Sequence, residues 1–412
     1  MPAGGAELTG DADDEARLAR EVAFLKALVR VPSDNPPGDC APHAEVTGQL
    51  LEELGFTVER HAVPEPFVKS HGMRSVVNLV VRERFGTGGP VIALNAHGDV
   101  VPPGEGWTFD PYGADEKAGA IYGRGAAVSK SDIATYTFAL LGLKDRPEGL
   151  NGTVELHFTY DEEAGGFLGP KWLLEHEITR PDFAISAGFS YAIVVAHNGA
   201  LHLEIVVRGK QAHAALPETG ADALEAANAI LTAIYAERQR LYGFTSATPG
   251  IGSPKITVGL ISGGINTNVV PDRISLRVDR RLTPEEDGLR VEAELTTLIE
   301  AAVAGRPGIE IECRRIILAE PLRTLPGTEK LVEPLQRHAA AVLGETPPAT
   351  AVPLYTDARH YTAAGIPTVL YGAGPRSILD ANAHAADEHV RIRDLDAATR
   401  VIEATLRDLL KA

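Results

Sequence analysis

Short β-rich runs alternate with helical patterns in this chain, and reactive side chains stand directly after two of the runs. The run Val91–Ala96 ends at His97, and Thr153–Thr159 leads into the acidic run Asp161–Glu163. The helical pattern Ser131–Leu143 lies between them. Strands that alternate with helices predict a three-layer α/β domain with a mixed, mainly parallel sheet. Its site is expected along the carboxyl edge of the strands.

The pattern changes after about residue 200, where the elements follow one another in the order β-α-β-β-α-β. They are the strand Leu201–Val207, the helix Asp222–Leu241, the strands Lys255–Leu260 and Arg273–Asp279, the helix Pro284–Ala304 and the strand Ile309–Cys313. This order predicts a ferredoxin-like α+β domain inserted into the catalytic domain. We therefore assign residues 1–199 and 318–412 to the two halves of the catalytic domain, and residues 200–317 to the insertion.

Composition and charge disfavour several classes of protein. The net charge of −17 disfavours a nucleic-acid partner, because the phosphate backbone would repel the protein. No apolar run approaches the roughly 18 residues of a membrane helix, and Met1–Gly10 lacks the basic and apolar segments of a signal peptide. Cys40 and Cys313 are too few for a disulfide framework. We expect a cytoplasmic protein that acts on a small molecule and has no membrane partner.

The residues after the two strands are suited to a divalent metal. His97-Gly98-Asp99 has the spacing of a ligand histidine whose second ring nitrogen is held by a carboxylate. Adjacent side chains point in different directions, so one of Glu162 and Glu163 can bind a metal while the other acts as a base. Each motif alone is common without a metal, and His384 alone would be an ordinary histidine. Together they indicate a metal-dependent hydrolase.

In order and spacing, the motifs resemble those of the carboxypeptidase G, acetylornithine deacetylase and succinyl-diaminopimelate desuccinylase family of metallohydrolases. The resemblance runs from about residue 20 to the end. The segments that carry it are His97–Gly104, Trp107, Tyr122–Ala126 with Lys130, Asp161–Glu163, Gly209–Pro217, Asn268–Asp272 and Gly372–Gly374. By this resemblance, the inserted domain is a lid through which two chains form a homodimer, with a higher homo-oligomer as the alternative.

The resemblance also implies roles for individual residues. The metal ligands it implies are His97, Glu163 and His384, the general base that activates the attacking water is Glu162, and Asp99 orients His97. His213 on the lid is similar to a histidine that stabilises the oxyanion across the dimer. The implied substrate contacts are Asn268, Arg281 and Arg359, although an ordinary ion pair is an equal alternative for both arginines.

Two positions depart from the family pattern. An aspartate that bridges two metal ions stands in the family where this chain has Val128, and a Glu or Asp ligand stands where it has Gly188. The remaining ligands favour one weakly held divalent transition metal, such as Zn, Mn or Co. Two alternatives stay open. One is a non-catalytic pseudoenzyme, and the other is a two-metal peptidase in which Asp132 or His197 replaces a ligand.

The expected reaction is hydrolysis of a C–N bond in a small carboxylate-bearing substrate. The family shares polarisation of an amide carbonyl between two ions, so a one-metal site favours a better electrophile. Divergent members of the family release ammonia or amines from non-peptide C–N bonds, and one of them converts nitroanthranilate into nitrosalicylate, where a nitro group activates the ring carbon. This chain resembles such a divergent member. Val128 and Phe189 would suit a flat ring. The most specific expectation is therefore an activated aromatic amine such as 5-nitroanthranilate, with N-acyl amino acid hydrolysis or peptidase activity as the alternative.

Overall fold

A computed structural model describes residues 9–377 and 379–411, and the chain in it divides into two units. The first unit holds the described residues up to Val195, Thr324–Thr350 and those from Thr356 onward. The second holds Ala196–Arg323 and Ala351–Tyr355. The domain boundaries at residues 199/200 and 317/318 stay predictions.

The regular elements are numbered in chain order. The helices are α1 (Thr9–Val29), α2 (Ala41–Glu53), α3 (Glu65–Ser70), α4 (Lys130–Asp145), α5 (Pro170–Glu175), α6 (Ala223–Leu241), α7 (Gly288–Val303), α8 (Glu329–Leu343), α9 (Ala358–Ala363) and α10 (Ile392–Leu409). The strands are β1 (Val58–Ala62), β2 (Val77–Phe85), β3 (Val91–His97), β4 (Asp115–Lys117), β5 (Ala120–Tyr122), β6 (Gly152–Thr159), β7 (Phe183–Ser186), β8 (Ile193–His197), β9 (Gly199–Arg208), β10 (Ala212–His213), β11 (Lys255–Gly263), β12 (Val269–Val270), β13 (Arg273–Leu282), β14 (Glu310–Ala319), β15 (Ala349–Val352), β16 (Thr368–Leu370) and β17 (His389–Arg391). Among the helices of residues 9–377 and 379–411, none combines the length and the hydropathy of a membrane-spanning segment.

The central sheet has the strand order β1-β2-β6-β3-β7-β16-β8-β15. Its middle strands β6, β3, β7 and β16 run parallel, while β1 and β2 are antiparallel at one edge. A strand in the middle of a parallel sheet is covered on both faces, which requires a nearly continuous apolar run. The sequence of β3, Val-Ile-Ala-Leu-Asn-Ala-His, meets that requirement.

Helices cover both faces of this sheet. Alternate side chains of a strand face opposite sides, and on β3 Ile92 and Leu94 join the large core formed with α1, α2, α4, α8 and α10. Ala93 lies on the other face, in a smaller cluster with Tyr361 of α9. The predicted three-layer α/β fold is confirmed.

The second unit contains a four-stranded antiparallel sheet of order β11-β13-β9-β14. Alternate residues of β9, from Leu201 to Val207, are buried in a core with apolar side chains of α6 and α7. The chain order β9, α6, β11, β13, α7, β14 is the predicted ferredoxin-like pattern, which is therefore confirmed.

A buried carboxyl group lies between α1 and α10. Glu21 of α1 is fully buried and accepts a hydrogen bond from the hydroxyl of Thr399, and Arg17 lies 3.9 Å from its other oxygen. Burial raises the pKa of Glu21 from 4.5 to about 8, although Thr399 and Arg17 oppose the shift. The folded protein therefore holds a proton here that the unfolded chain releases at lower pH.

We predict that Glu21→Gln flattens the pH dependence of stability. Because the folded-state pKa is raised, the contribution of Glu21 is fully present below pH 4.5 and is lost as the pH rises through about 8. Within that window the variant should gain up to about 1.4 kcal/mol per pH unit relative to the unmodified protein. Urea unfolding at several pH values measures this gain. Glu15→Gln, an exposed change on the same helix, is the control, and equal pH slopes for both variants would contradict the prediction.

Candidate metal centre

The candidate ligands meet at the carboxyl edge of the central sheet because β3 and β6 are parallel neighbours. His97 ends β3 and pairs with Thr159, which ends β6. The chain after β6 forms a short 3₁₀ turn, Glu162–Ala164. Three side chains, those of His97, Glu162 and Glu163, each offer one candidate ligand atom. These three atoms lie within 4.8 Å of one another. The fold thus assembles a cluster of metal-ligating side chains from two distant segments of the sequence.

A buried carboxylate, that of Asp99, organises this cluster. It accepts hydrogen bonds from the side chain of Asn35 at 2.9 Å and from the backbone amides of Glu162 and Glu163 at 3.1 Å each. Nδ1 of His97 lies 3.0 Å from the carbonyl oxygen of Asp99 and 3.3 Å from its carboxylate. Nδ1 is therefore engaged, and Nε2 of His97 is the nitrogen available to a metal ion.

His384 approaches Glu163 from a separate loop. Its Nε2 lies 3.1 Å from Oε1 of Glu163, and about half of its side chain is exposed. Oε1 of Glu163 is buried, and none of its contacts with described residues has the orientation of a good hydrogen bond. A buried carboxylate oxygen beside an imidazole nitrogen is an arrangement that suits a bound cation. The residues present therefore fit a divalent metal.

The charges in the cluster also favour a cation. Burial lowers the pKa of His97, but Asp99 and the two glutamates outweigh burial and raise it well above its ordinary value. Burial also raises the pKa of Glu162, and the negative charges of Glu163 and Asp99 add to that rise while His97 opposes it. Carboxylates crowded in a buried site attract positive charge.

The turn that carries Val128 is held firmly but offers no ligand atom at that position. Arg124 and Glu388 form a buried ion pair at 2.5 Å. The other oxygen of Glu388 accepts the backbone amides of Ala127 at 3.0 Å and Val128 at 3.1 Å. Both oxygens of the Glu388 carboxylate are thus used to fix the turn. Val128 contributes only an aliphatic side chain.

Gly188 lies where no side chain fits. A Cβ atom there would stand 2.7 Å from the backbone nitrogen of Tyr371 and 2.8 Å from the carbonyl carbon of Leu370. The carboxylate of Asp132 accepts hydrogen bonds from the backbone amides of Gly188 and of Ala373, the latter at 2.7 Å. A ligand side chain at position 188 would therefore require the neighbouring segment of backbone to move.

The replacement of a ligand by Asp132 or His197 stays a prediction. Among the described residues of the first unit, the group of close ligand atoms contains His97, Glu162 and Glu163, and neither Asp132 nor His384 is part of it. Asp132 is occupied by backbone amides, and His197, in the second unit, has Nδ1 2.8 Å from the carbonyl oxygen of Asn198.

The predicted lid residues lie in the second unit. His213 is exposed, and its Nδ1 accepts a backbone amide hydrogen bond at 3.0 Å. Asn268 is also exposed, and Arg281 forms an ion pair with Asp279 at 2.9 Å. Their roles in oxyanion stabilisation and substrate binding stay predictions.

The structure places Arg359 in the first unit, where it is buried. Its guanidinium donates to the carbonyl oxygen of Thr356 at 2.9 Å and to that of Gly165. Its predicted contact with a substrate carboxylate stays a prediction. The sequence reading missed Asn35, because a loop asparagine that contacts Asp99 only through the fold leaves no local signal.

The fold and the cluster together define a metal-dependent hydrolase. A comparison with protein families leads to the same class. The chain belongs to the peptidase family M20/M25/M40, whose family model matches residues 93–408. The resemblance found in the sequence is thereby confirmed. The protein is a metallopeptidase-like hydrolase that acts on amide or peptide C–N bonds.

Curated relatives cover nearly the whole chain. The chain is 30% identical over 393 residues to a succinyl-diaminopimelate desuccinylase of Acidiphilium cryptum (strain JF-5), covering 93% of this chain and 96% of the relative. It is 31% identical over 354 residues to an acetylornithine deacetylase of Myxococcus xanthus, covering 84% and 86%.

Solved structures share the fold. The M20 family metallo-carboxypeptidase Sso-CP2 from Sulfolobus solfataricus has a TM-score of 0.76 at 21% identity, covering 96% of this chain and 99% of that one. A dinuclear metal binding peptidase of the M20 family from Bacillus subtilis has a TM-score of 0.69 at 18% identity, covering 97% and 100%.

We predict that Gly188→Ala destabilises the protein by about 1–3 kcal/mol, because the added methyl group overlaps rigid backbone. Urea unfolding measures the loss. Gly88→Ala is the matched control in the same unit, since a Cβ atom there would come no closer than 3.7 Å to its nearest neighbour. Equal stabilities of the two variants would show that position 188 has room for a ligand.

Proposed function

We propose that this hydrolase is a deacylase of N-acylated amino acids and uses one weakly held divalent transition metal. The observation that carries the proposal is the cluster of His97, Glu162 and Glu163, with a buried oxygen of Glu163 3.1 Å from Nε2 of His384. The curated relatives supply the substrate class, because a desuccinylase and a deacetylase both remove an acyl group.

His97, Glu163 and His384 would hold the metal. When bound there, a divalent cation supplies a Lewis acid that polarises the scissile carbonyl group. Two imidazoles and one carboxylate leave coordination positions of the metal open for water and substrate. They carry only one negative charge, so the metal is held weakly. Val128 and Gly188 support a count of one ion, because neither offers the ligand that a second ion would need.

Glu162 moves the proton in the proposed reaction. As the oxygen of a water molecule attacks the carbonyl carbon, the carboxylate of Glu162 takes a proton from that water. When the C–N bond breaks, Glu162 returns the proton to the leaving nitrogen. Asp99 holds the backbone of Glu162 and the ring of His97 during these steps.

Residues of the second unit complete the proposal. By the family resemblance, His213 stabilises the negative charge that develops on the carbonyl oxygen, and Asn268 and Arg281 contact the substrate. Homodimerisation through this unit, a cytoplasmic location and the preferred metal ion stay predictions.

An activated aromatic amine is the second candidate substrate. The apolar side chains of Val128 and Phe189 favour it, whereas the curated relatives favour an acyl amide. The two classes release different products, since deacylation yields a carboxylic acid and deamination yields ammonia.

We predict that the protein hydrolyses N-succinyl or N-acetyl amino acids and that Glu162→Gln lowers kcat by a factor of about 100 to 10,000, because the general base is lost. An assay of amine and ammonia release over both substrate classes measures this. Glu65→Gln is the matched control, since Glu65 is an exposed partner of Lys69.

Three outcomes would contradict the proposal. They are unchanged kcat in a folded Glu162→Gln variant, activity that survives removal of metal by a chelator, and release of ammonia from aromatic amines without any deacylation.

A further inference from the structure

We infer that Arg359 and His360 are positioning residues, which hold the turn carrying Glu162 and Glu163 in the geometry that binds metal. The inference rests on the proposed single-metal function. It replaces the expected contact between Arg359 and a substrate carboxylate with a role inside the protein. Both side chains meet the turn at one carbonyl group, that of Gly165.

Two side chains of α9 donate hydrogen bonds to the carbonyl oxygen of Gly165. The guanidinium of Arg359 donates to it, and Nε2 of His360 lies 3.0 Å away. A carbonyl oxygen only accepts, so Nε2 of His360 carries the proton in this bond. A second arm of Arg359 donates to the carbonyl oxygen of Thr356 at 2.9 Å. The rigid fork of arginine thereby ties the start of α9 to the turn.

Gly165 directly follows the 3₁₀ turn Glu162–Ala164, which we call the glutamate turn. Its backbone nitrogen donates to the carbonyl oxygen of Glu162 at 2.9 Å, and its φ of 109° lies in the left-handed region. Gly166 donates to the carbonyl oxygen of Asp161 at 2.8 Å. A shift of the Gly165 peptide would therefore turn the backbone of Glu162 and with it the side chains of both glutamates.

The residues of α9 and of the turn are packed so closely that no added side-chain atom fits between them. A Cβ atom on Gly166 would stand 2.1 Å from Oδ1 of Asp357 and 2.8 Å from Nε2 of His360. Asp99 fixes the first two amides of the turn, and the pair on α9 fixes its end. The glutamate turn is thus held at both ends by hydrogen bonds from the protein itself.

The burial of Arg359 favours this role over substrate binding. Arg359 is 3% exposed, and its guanidinium also lies 5.9 Å from the ring centroid of Phe167. By contrast, the side chain of Arg281 is 35% exposed. A buried guanidinium that donates to two backbone carbonyls is suited to fixing a turn.

The test measures Co²⁺ binding in the absence of substrate, through the visible absorption bands that report the geometry of the ligands. We expect Arg359→Lys to weaken Co²⁺ affinity by about tenfold or more and to alter the band shape, because lysine cannot span both carbonyls. We expect His360→Gln to weaken it less, since glutamine keeps one donor. Circular dichroism checks the fold, and His360→Gln carries the test where Arg359→Lys does not fold.

Arg323→Lys is the matched control, because Arg323 also donates to two backbone carbonyls, those of Pro284 and Glu286 at 2.8 Å each, but in the second unit. It should leave the Co²⁺ affinity unchanged. Unchanged affinity and spectrum in folded Arg359→Lys and His360→Gln would overturn the inference while leaving the proposed function standing. Failure of the unmodified protein to bind Co²⁺ would overturn the proposed function, and this inference with it.

Discussion

The buried carboxylate of Asp99 is the interaction on which the rest of the site depends. It accepts hydrogen bonds from Asn35 and from the amides of Glu162 and Glu163, and it faces the ring of His97. A buried charge is costly unless such donors surround it. One anion therefore fixes the orientation of the proposed base and of proposed ligands that follow two strands, and the protein sets their geometry without help from a substrate.

This arrangement supports the proposed function, in which one metal position of the family's site is absent and the other is used. Val128 and Gly188 belong to segments that Asp99 does not hold. The turn at Val128 is fixed by Glu388, and Gly188 is packed against the backbone of Leu370 and Tyr371. The structure around position 188 is complete without a side chain, so Gly188 leaves no gap in the packing.

The sequence predicted the parts of the site that follow from regular structure. His97 and the two glutamates could be found because each follows an apolar strand, and the carboxyl ends of parallel strands meet at one edge. His384 sits in a loop without periodicity, so its pairing with Glu163 rested on family resemblance alone. The helix α9 was not predicted either, because six residues are too few to show a helical period in the sequence. Without it, the hydrogen bonds of Arg359 to the glutamate turn could not be foreseen.

The central claim is that this member of the M20/M25/M40 family works with one metal ion per chain. Equilibrium dialysis against Zn²⁺ or Mn²⁺, followed by elemental analysis, tests it most directly. The account predicts that binding saturates at one ion per chain and that the ion exchanges readily. Saturation at two tightly held ions per chain would contradict it, because Val128 and Gly188 would then have been replaced by other ligands.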